Sequence, residues 1–273
     1  VGRTRGRRNR HTFNFRGKTK KRKKIGKPEL NAISLWQEFI NQIPKNVKIP
    51  KFPIWGMEFG ATYPIEDDMY PAIMTSEELG NYRGNFGKLL KGMSKEEQLA
   101  NLPSYARVEK PYPSWKKRYI TENRKFYKEH KKILWRVVRK ISKLPSQSWQ
   151  KLEWNVGDDE RKIKNYIIQF RASGIRLKKT ETSPSLVCTC TQIPMIPWEK
   201  RYLTKEEGAR LQSISGIELP ENHSTCFKAL GNAVNVEIVR QIGESLITDK
   251  VSGIVKLKPI KNKNANIKSA SHG

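Results

Sequence analysis

Apolar residues recur at helical spacing in several separate tracts, and prolines mark where the tracts stop. Over residues 29–43, Leu30, Ile33, Leu35, Trp36, Phe39, Ile40 and Ile43 form one stripe ended by Pro44, which predicts an amphipathic helix. Residues 49–64 hold three prolines, two glycines and four aromatic residues. That mix excludes a regular helix and predicts a loop with short extended segments, pinned by Trp55, Phe59 and Tyr63. These rings suit the core of a loop-rich domain first and stacking on bases second. Residues 76–102 are weakly helical and interrupted by glycine, with a helix start at Ser94-Lys-Glu-Glu.

After Pro103, Pro111 and Pro113 a long helix is expected from 114 to 144. Its stripe is Trp115, Tyr119, Phe126, Ile133, Leu134, Val137, Val138 and Ile141, and Pro145 closes it. The opposite face is a row of Lys and Arg, read as a solvated face before a DNA contact. Over 158–173 the spacing of Ile163, Tyr166, Ile167 and Phe170 predicts another helix. Asp158 and Asp159 would lie at its positive end and Gly174 at its C-cap. Residues 175–192 alternate and carry β-branched side chains, so they read as extended, dense in hydroxyls, Arg and Lys. That mix can meet phosphates and the edges of bases in a major groove, with a polar edge strand as the alternative.

Two late segments complete the pattern. In Arg201-Tyr-Leu-Thr-Lys-Glu-Glu-Gly-Ala-Arg-Leu-Gln212, Thr204 is a helix N-cap and Glu207 can return to its amide, which is a capping box. Ala209, Leu211 and Ile214 supply a short stripe, and Gly216 can end the helix. Leu230-Gly-Asn-Ala-Val-Asn-Val236 reads as a tight Gly-Asn turn feeding a helix, with Val234, Val236, Ile238, Val239 and Ile242 turned inward.

Charge adds what periodicity cannot. The 273 residues carry 54 Lys+Arg against 26 Asp+Glu, a formal net charge of +28. An excess of that size calls for a polyanionic partner, most often nucleic acid. Seven Trp and nine Tyr argue that much of the chain folds. Residues 1–28 hold Lys and Arg without an acid until Glu29, and the stretch after Thr248 turns basic and Asn-rich. The first reads as a disordered arm that binds phosphate without sequence preference, and the second as a flexible tail. No apolar run approaches the ~20 residues that span a bilayer, and no signal-peptide pattern follows the basic start. Cys188, Cys190 and Cys226 cannot all pair and lack the partners of a zinc site. Free thiols in a reducing cytoplasm, and no metal, are expected. Glu66-Asp67-Asp68 is the nearest approach to a nuclease-type acid cluster and reads as a loop patch.

The order and spacing of the late segments resemble the last two motifs of the DNA cytosine-5 methyltransferases. Arg201, Leu203, Thr204, Glu207, Ala209, Arg210, Leu211 and Gln212 fit the first motif, and Gly231, Asn232, Ala233 and Val234 the second. Gly6-Arg-Arg-Asn-Arg10 is similar to the family's Gln-x-Arg-x-Arg, with Gly6 in place of Gln, and Ser185-Leu186 stands where the family has Thr-Leu. Phe52 to Pro64 resembles the recognition region of one bacterial branch.

The resemblance implies double-stranded DNA as partner, S-adenosylmethionine as methyl donor and base flipping of the target cytosine. It gives Thr204, Glu207, Arg201 and Arg210 a domain-organising role and places Gly231, Asn232, Ala233 and Val234 at the cofactor. With position and chemistry it also nominates Arg8, Arg10, Arg171, Arg176, Lys178, Lys179, Thr180, Ser185, Thr189, Thr191 and Gln192 for DNA contact. The family's Pro-Cys nucleophile, its Glu-Asn-Val and its Gly-rich cofactor turn are absent from these residues; the three cysteines follow Val187, Thr189 and Thr225.

An α+β fold is therefore expected: an irregular mixed recognition domain, with C-terminal helices suited to pack on a mostly absent α/β catalytic domain. The divisions are 1–28, a basic arm or remnant strand; 29–197, target recognition; 198–248, closing motifs; 249–273, a basic tail. Such a chain would be cytoplasmic and nucleoid-associated, part of a restriction-modification system, and inactive without a catalytic half encoded upstream or on a separate subunit. A stand-alone basic nucleic-acid-binding module without enzymatic activity is the alternative.

Overall fold

Helix α1 (Lys27–Gln42) lays Ala32, Ile33, Trp36, Phe39 and Ile40 against helix α4 (Ser114–Ile141), which answers with Phe126, Tyr127, Leu134, Val137, Val138 and Ile141. The computed structural model describes residues 22–251 other than 190 and 215. Pro28 in the first turn of α1 costs nothing, since that amide has no intrahelical acceptor. The Trp36 indole donates to the Trp149 carbonyl at 2.8 Å, so the largest buried ring leaves no polar atom orphaned. Phe39, Phe59 and Tyr127 continue the core as stacked rings, with centroids 5.9 and 4.8 Å apart.

A six-stranded mixed sheet shares this core. Its strands are β1 (Ile54–Trp55), β2 (Lys151–Glu153), β3 (Ile167–Arg171), β4 (Gly174–Lys178), β5 (Met195–Ile196) and β6 (Arg201–Tyr202). The spatial order is β1-β2-β4-β3-β5-β6, with β2 parallel to β4 and the other pairs antiparallel. Residues 22–25 extend the β6 edge, where the Ile25 amide donates to Lys200 O and the Tyr202 amide to Lys23 O. Short helices α2 (Ser76–Gly80) and α3 (Lys95–Ala100) each begin with a capping box, at Thr75/Glu78 and Ser94/Glu97. They close over a second, aromatic-rich cluster built from residues 55–120.

Several expectations are met: the helix over 29–43, the loop pinned by buried Trp55, Phe59 and Tyr63, the Ser94 start and the long helix from 114. The mixture of helices and one sheet agrees with α+β.

Other expectations fail for identifiable reasons. Residues 158–173 are not a helix; they hold a 3-10 turn at Ile163–Asn165 and then β3. Ile167, Ile168, Gln169 and Phe170 are all buried and paired with β4, and Ile168 pairs with β5 as well, so a strand covered on two faces imitates helical periodicity. Gly174 caps no helix and instead begins β4, where a Cβ would meet Lys151 at 2.9 Å. Asp159 pairs with Lys179 at 2.7 Å rather than with a helix dipole. The extended run continues only to Lys178, and the described residues from 179 to 194 form a loop. Trp115 and Ile133 of the α4 stripe are exposed.

The last three helices are α5 (Lys205–Leu211), α6 (His223–Asn232) and α7 (Val236–Val251). Helix α5 ends before Gly216: Ser213 takes the left-handed conformation at φ 54° and the chain turns there. Gly231 and Asn232 are the last residues of α6 rather than a tight turn, and residues 233–235 lead from them into α7. Val234, Val236, Ile238, Val239 and Ile242 point outward, against the expectation that they turn inward.

Candidate functional site

The Thr204 hydroxyl accepts from the Glu207 amide at 3.2 Å, and Glu207 Oε2 accepts from the Thr204 amide at 2.8 Å, so the capping box is complete. The same carboxylate receives both terminal nitrogens of Arg201 at 2.7 Å, a bidentate pair that is almost fully buried. Arg201 Nε goes to Glu199 at 2.7 Å, and Glu199 also meets Arg22 at 3.2 Å. Burial pushes the Glu207 carboxyl up, but the Arg201 and Thr204 hydrogen bonds outweigh it, and the group lies below its ordinary value. One glutamate thus starts α5 and ties it to β6.

Helix α5 is coupled to α6 by close approach and by one amide. A Cβ at Gly208 would meet Leu230 at 2.9 Å and the Phe227 ring at 3.2 Å. Gln212 Nε2 donates to the carbonyls of Leu230 at 2.7 Å and Ala233 at 3.1 Å, and its backbone carbonyl accepts from the Val236 amide at 2.9 Å. Asn235 donates to Leu211 O at 2.9 Å and caps α7 by accepting from the Ile238 amide at 3.1 Å. The final Gln of the first late segment therefore holds the second segment in place. Sequence reasoning gave Gln212 and Asn235 no role, although Gln212 stands inside the motif.

The 179–194 loop is held from two sides. Gln169 Nε2 donates to Gln192 O at 2.7 Å and to Ser185 O at 3.4 Å, which anchors it on β3. On the other side Gly231 lies against the backbone of Val187 and Cys188; a Cβ there would meet Val187 C at 2.3 Å and Cys188 N at 2.5 Å. Only glycine permits that approach. The Cys188 thiol donates to Asn232 Oδ1, so both residues of the Gly-Asn step touch the loop.

The nominated residues divide accordingly. Ser185, Thr189 and Thr191 are exposed on the loop, and Thr180 and Gln192 are half-buried at its ends. Arg176 and Lys179 carry acidic partners, Glu153 at 2.5 Å and Asp159 at 2.7 Å. Lys178 is half-buried on β4; Arg171 ends β3 with Nη1 buried and without a hydrogen-bond partner. Arg8 and Arg10 lie outside the described residues. Arg201, Thr204 and Glu207 are brought together, whereas Arg210 is exposed and lines an apolar cavity of about 190 Å³ with Trp198, Ile196, Leu203 and Leu211. Asn232 and Val234 are exposed, with Gly231 and Ala233 half-buried. Among the described residues no group of three or more His, Cys, Asp or Glu could hold a metal ion, and no helix is long and apolar enough to cross a membrane.

This joining of the Arg-x-Leu-Thr segment to the Gly-Asn-Ala-Val segment defines a class. The family model for the C-5 cytosine-specific DNA methylases matches residues 57–248, and the chain belongs to that family. A relative, the type II methyltransferase M.AluI of Cellulosimicrobium cellulans, is 31% identical over 140 residues, or 50% of this chain. The chain spans about a quarter of that relative, 26% of its length. No solved structure matches.

Proposed function

We propose that this chain is the target-reading portion of a DNA cytosine-5 methyltransferase of a restriction-modification system. In this reading it binds double-stranded DNA, and the thiol nucleophile and most of the S-adenosylmethionine site are supplied by another portion of the enzyme. The carrying observation is the stripe Val234, Val236, Ile238, Val239, Ile242, Leu246 and Ile247, each between 51% and 67% exposed, on and beside a helix whose start lies inside the family-matched range. A face that apolar belongs against another surface. No Pro-Cys step occurs in the 273 residues, which agrees with a nucleophile held elsewhere.

In this reading the labour is divided among the nominated residues. The loop carrying Ser185, Thr189, Thr191 and Gln192, with Arg171, Lys178 and Thr180 beside it, meets the duplex, and Arg8 and Arg10 add backbone contacts. Arg176 and Lys179 are offset by Glu153 and Asp159 and contribute less to phosphate binding. Gly231 seats the recognition loop, while exposed Asn232 and Val234 offer one wall to the cofactor, which supplies the transferred methyl group. Arg201, Thr204 and Glu207 fix the angle between loop and closing helices. Such an enzyme works at the nucleoid, in the cytoplasm.

The test is methyl transfer to duplex DNA from labelled S-adenosylmethionine. This chain alone gives none, and adding a polypeptide with the family's Pro-Cys and cofactor motifs restores it. Transfer by this chain alone would overturn the reading, and so would failure of every matched catalytic portion with both partners folded. A stand-alone basic module would instead show a steep salt dependence with no sequence preference.

A further inference from the structure

Away from the late segments, four rings from α4, β1 and the 3-10 turn at Ser104–Ala106 form a continuous row. Trp115 meets Tyr119 with centroids 5.8 Å apart, Tyr119 meets Trp55 at 5.7 Å, and Trp55 meets Tyr105 at 5.1 Å. Trp55 is buried and belongs to the core, but Trp115 is 51% exposed at the outer end of the row. Two ammonium groups flank the rings. Lys116 Nζ lies 5.4 Å from the centroids of both Tyr105 and Trp115, and Lys151 Nζ lies 5.7 Å from Tyr105 and 5.9 Å from Trp55.

Neither lysine has a carboxylate within ion-pair distance among the described residues. Glu58, the acid that acts on Lys151, is fully buried and already engaged: it accepts from the Tyr63 hydroxyl, from Tyr105 at 2.5 Å and from Arg124 Nε at 3.0 Å. Arg124 and Lys151 thus share one occupied carboxylate, and Lys116 has none. Burial disfavours the charge of both lysines; Glu58 offsets part of this at Lys151, while Lys116 adds to it there and Lys110 adds to it at Lys116. The long helix α4 adds its positive end here, without an acid in its first turn or a side-chain cap. Aromatic faces offset part of that cost, but an anion between the two ammonium groups would offset more.

We propose that Lys116 and Lys151 bind a phosphodiester of a nucleic-acid strand whose bases are unpaired, with a base stacked on Trp115. Stacking selects the unpaired strand, because a paired base offers its faces only to its neighbours in the helix. The site lies outside the recognition loop and does not depend on methyl transfer.

Titrating the full chain into a short dye-labelled oligothymidylate, with affinity read by anisotropy and stacking by tryptophan fluorescence, tests it. Trp115→Ala should weaken binding about 10-fold, and Trp115→Phe should keep the affinity while losing most of the quench. Lys116→Gln and Lys151→Gln should each lower the slope of log affinity against log salt by about 0.7. Trp115 and Lys116 are open enough that their variants should keep the wild-type circular dichroism. Unchanged affinity in Trp115→Ala, or an unchanged salt slope in folded Lys116→Gln, would overturn the proposal. So would tighter binding of a duplex of the same length that depends equally on Trp115. Because the readout is binding by this chain alone, a negative result leaves the methyl-transfer reading standing, and the reverse also holds.

Discussion

The two halves of the fold bury apolar residues in opposite ways. From α1 to β5 the stripes face one another: Trp36, Phe39, Phe59, Leu134, Val137, Ile168 and Met195 share one core, and the loops close over an aromatic cluster of their own. Around α5 to α7 the buried sets are small: Phe227 packs with Ile193, Ile196 and Leu203 from outside these helices, and Ala209, Cys226 and Leu230 form the other. Helix α7 turns most of its large apolar side chains outward. What holds this second region is polar and local, namely the Arg201–Glu207 pair and the bonds from Gln212 and Asn235. A region whose own core is complete needs nothing further to fold. A region held by hydrogen bonds beside an uncovered stripe agrees with the partner proposed for it.

The comparison breaks if the two halves respond alike to substitution. The largest effect is expected in the first half. Trp36→Ala removes a fully buried indole and its bond to Trp149 O, and should cost about 3–5 kcal/mol in urea unfolding. Loss of under about 1 kcal/mol would mean that this core is looser than its burial indicates.

A smaller effect is expected at the joint of the second half. Arg201→Met strands Glu207 and should cost about 3 kcal/mol, seen first as faster hydrogen exchange in α5 and α6 while α1 and α4 stay protected. The carboxyl of Glu207 is held below its ordinary value of 4.5. Its contribution is therefore present above that pH and is lost as pH falls through the lowered value. Arg201→Met should flatten this part of the acid limb, and an unchanged acid profile would remove Glu207 from its central place.

Local signals make parts of this arrangement legible in the sequence. The capping boxes at Ser94 and Thr204 are patterns of four residues, and both form as expected. The matching box at Thr75 carries the same Thr-x-x-Glu signal and is equally legible. Periodicity does less well wherever the surroundings decide the outcome. Ile163, Tyr166, Ile167 and Phe170 fit a helix as well as a strand, and pairing with β4 and β5 chooses the strand. The α7 stripe is a true helical stripe, but spacing says nothing of what lies opposite, and the side chains turn outward rather than inward. Long-range roles leave no local trace at all. Gly231 matters because Val187 and Cys188 pass over it, and Glu58 is tolerable in a core because Arg124, far along the chain, reaches it.

Hydrogen exchange of residues 236–247, measured with and without a polypeptide carrying the family's Pro-Cys and cofactor motifs, tests most directly whether the outward stripe is an interface. If it is, these amides exchange readily in the isolated chain and gain protection on mixing. Ile238→Glu with Ile242→Glu should abolish that gain while changing stability by no more than about 0.5 kcal/mol. Protection that is already complete in the isolated chain, or a gain untouched by the double substitution, would contradict it.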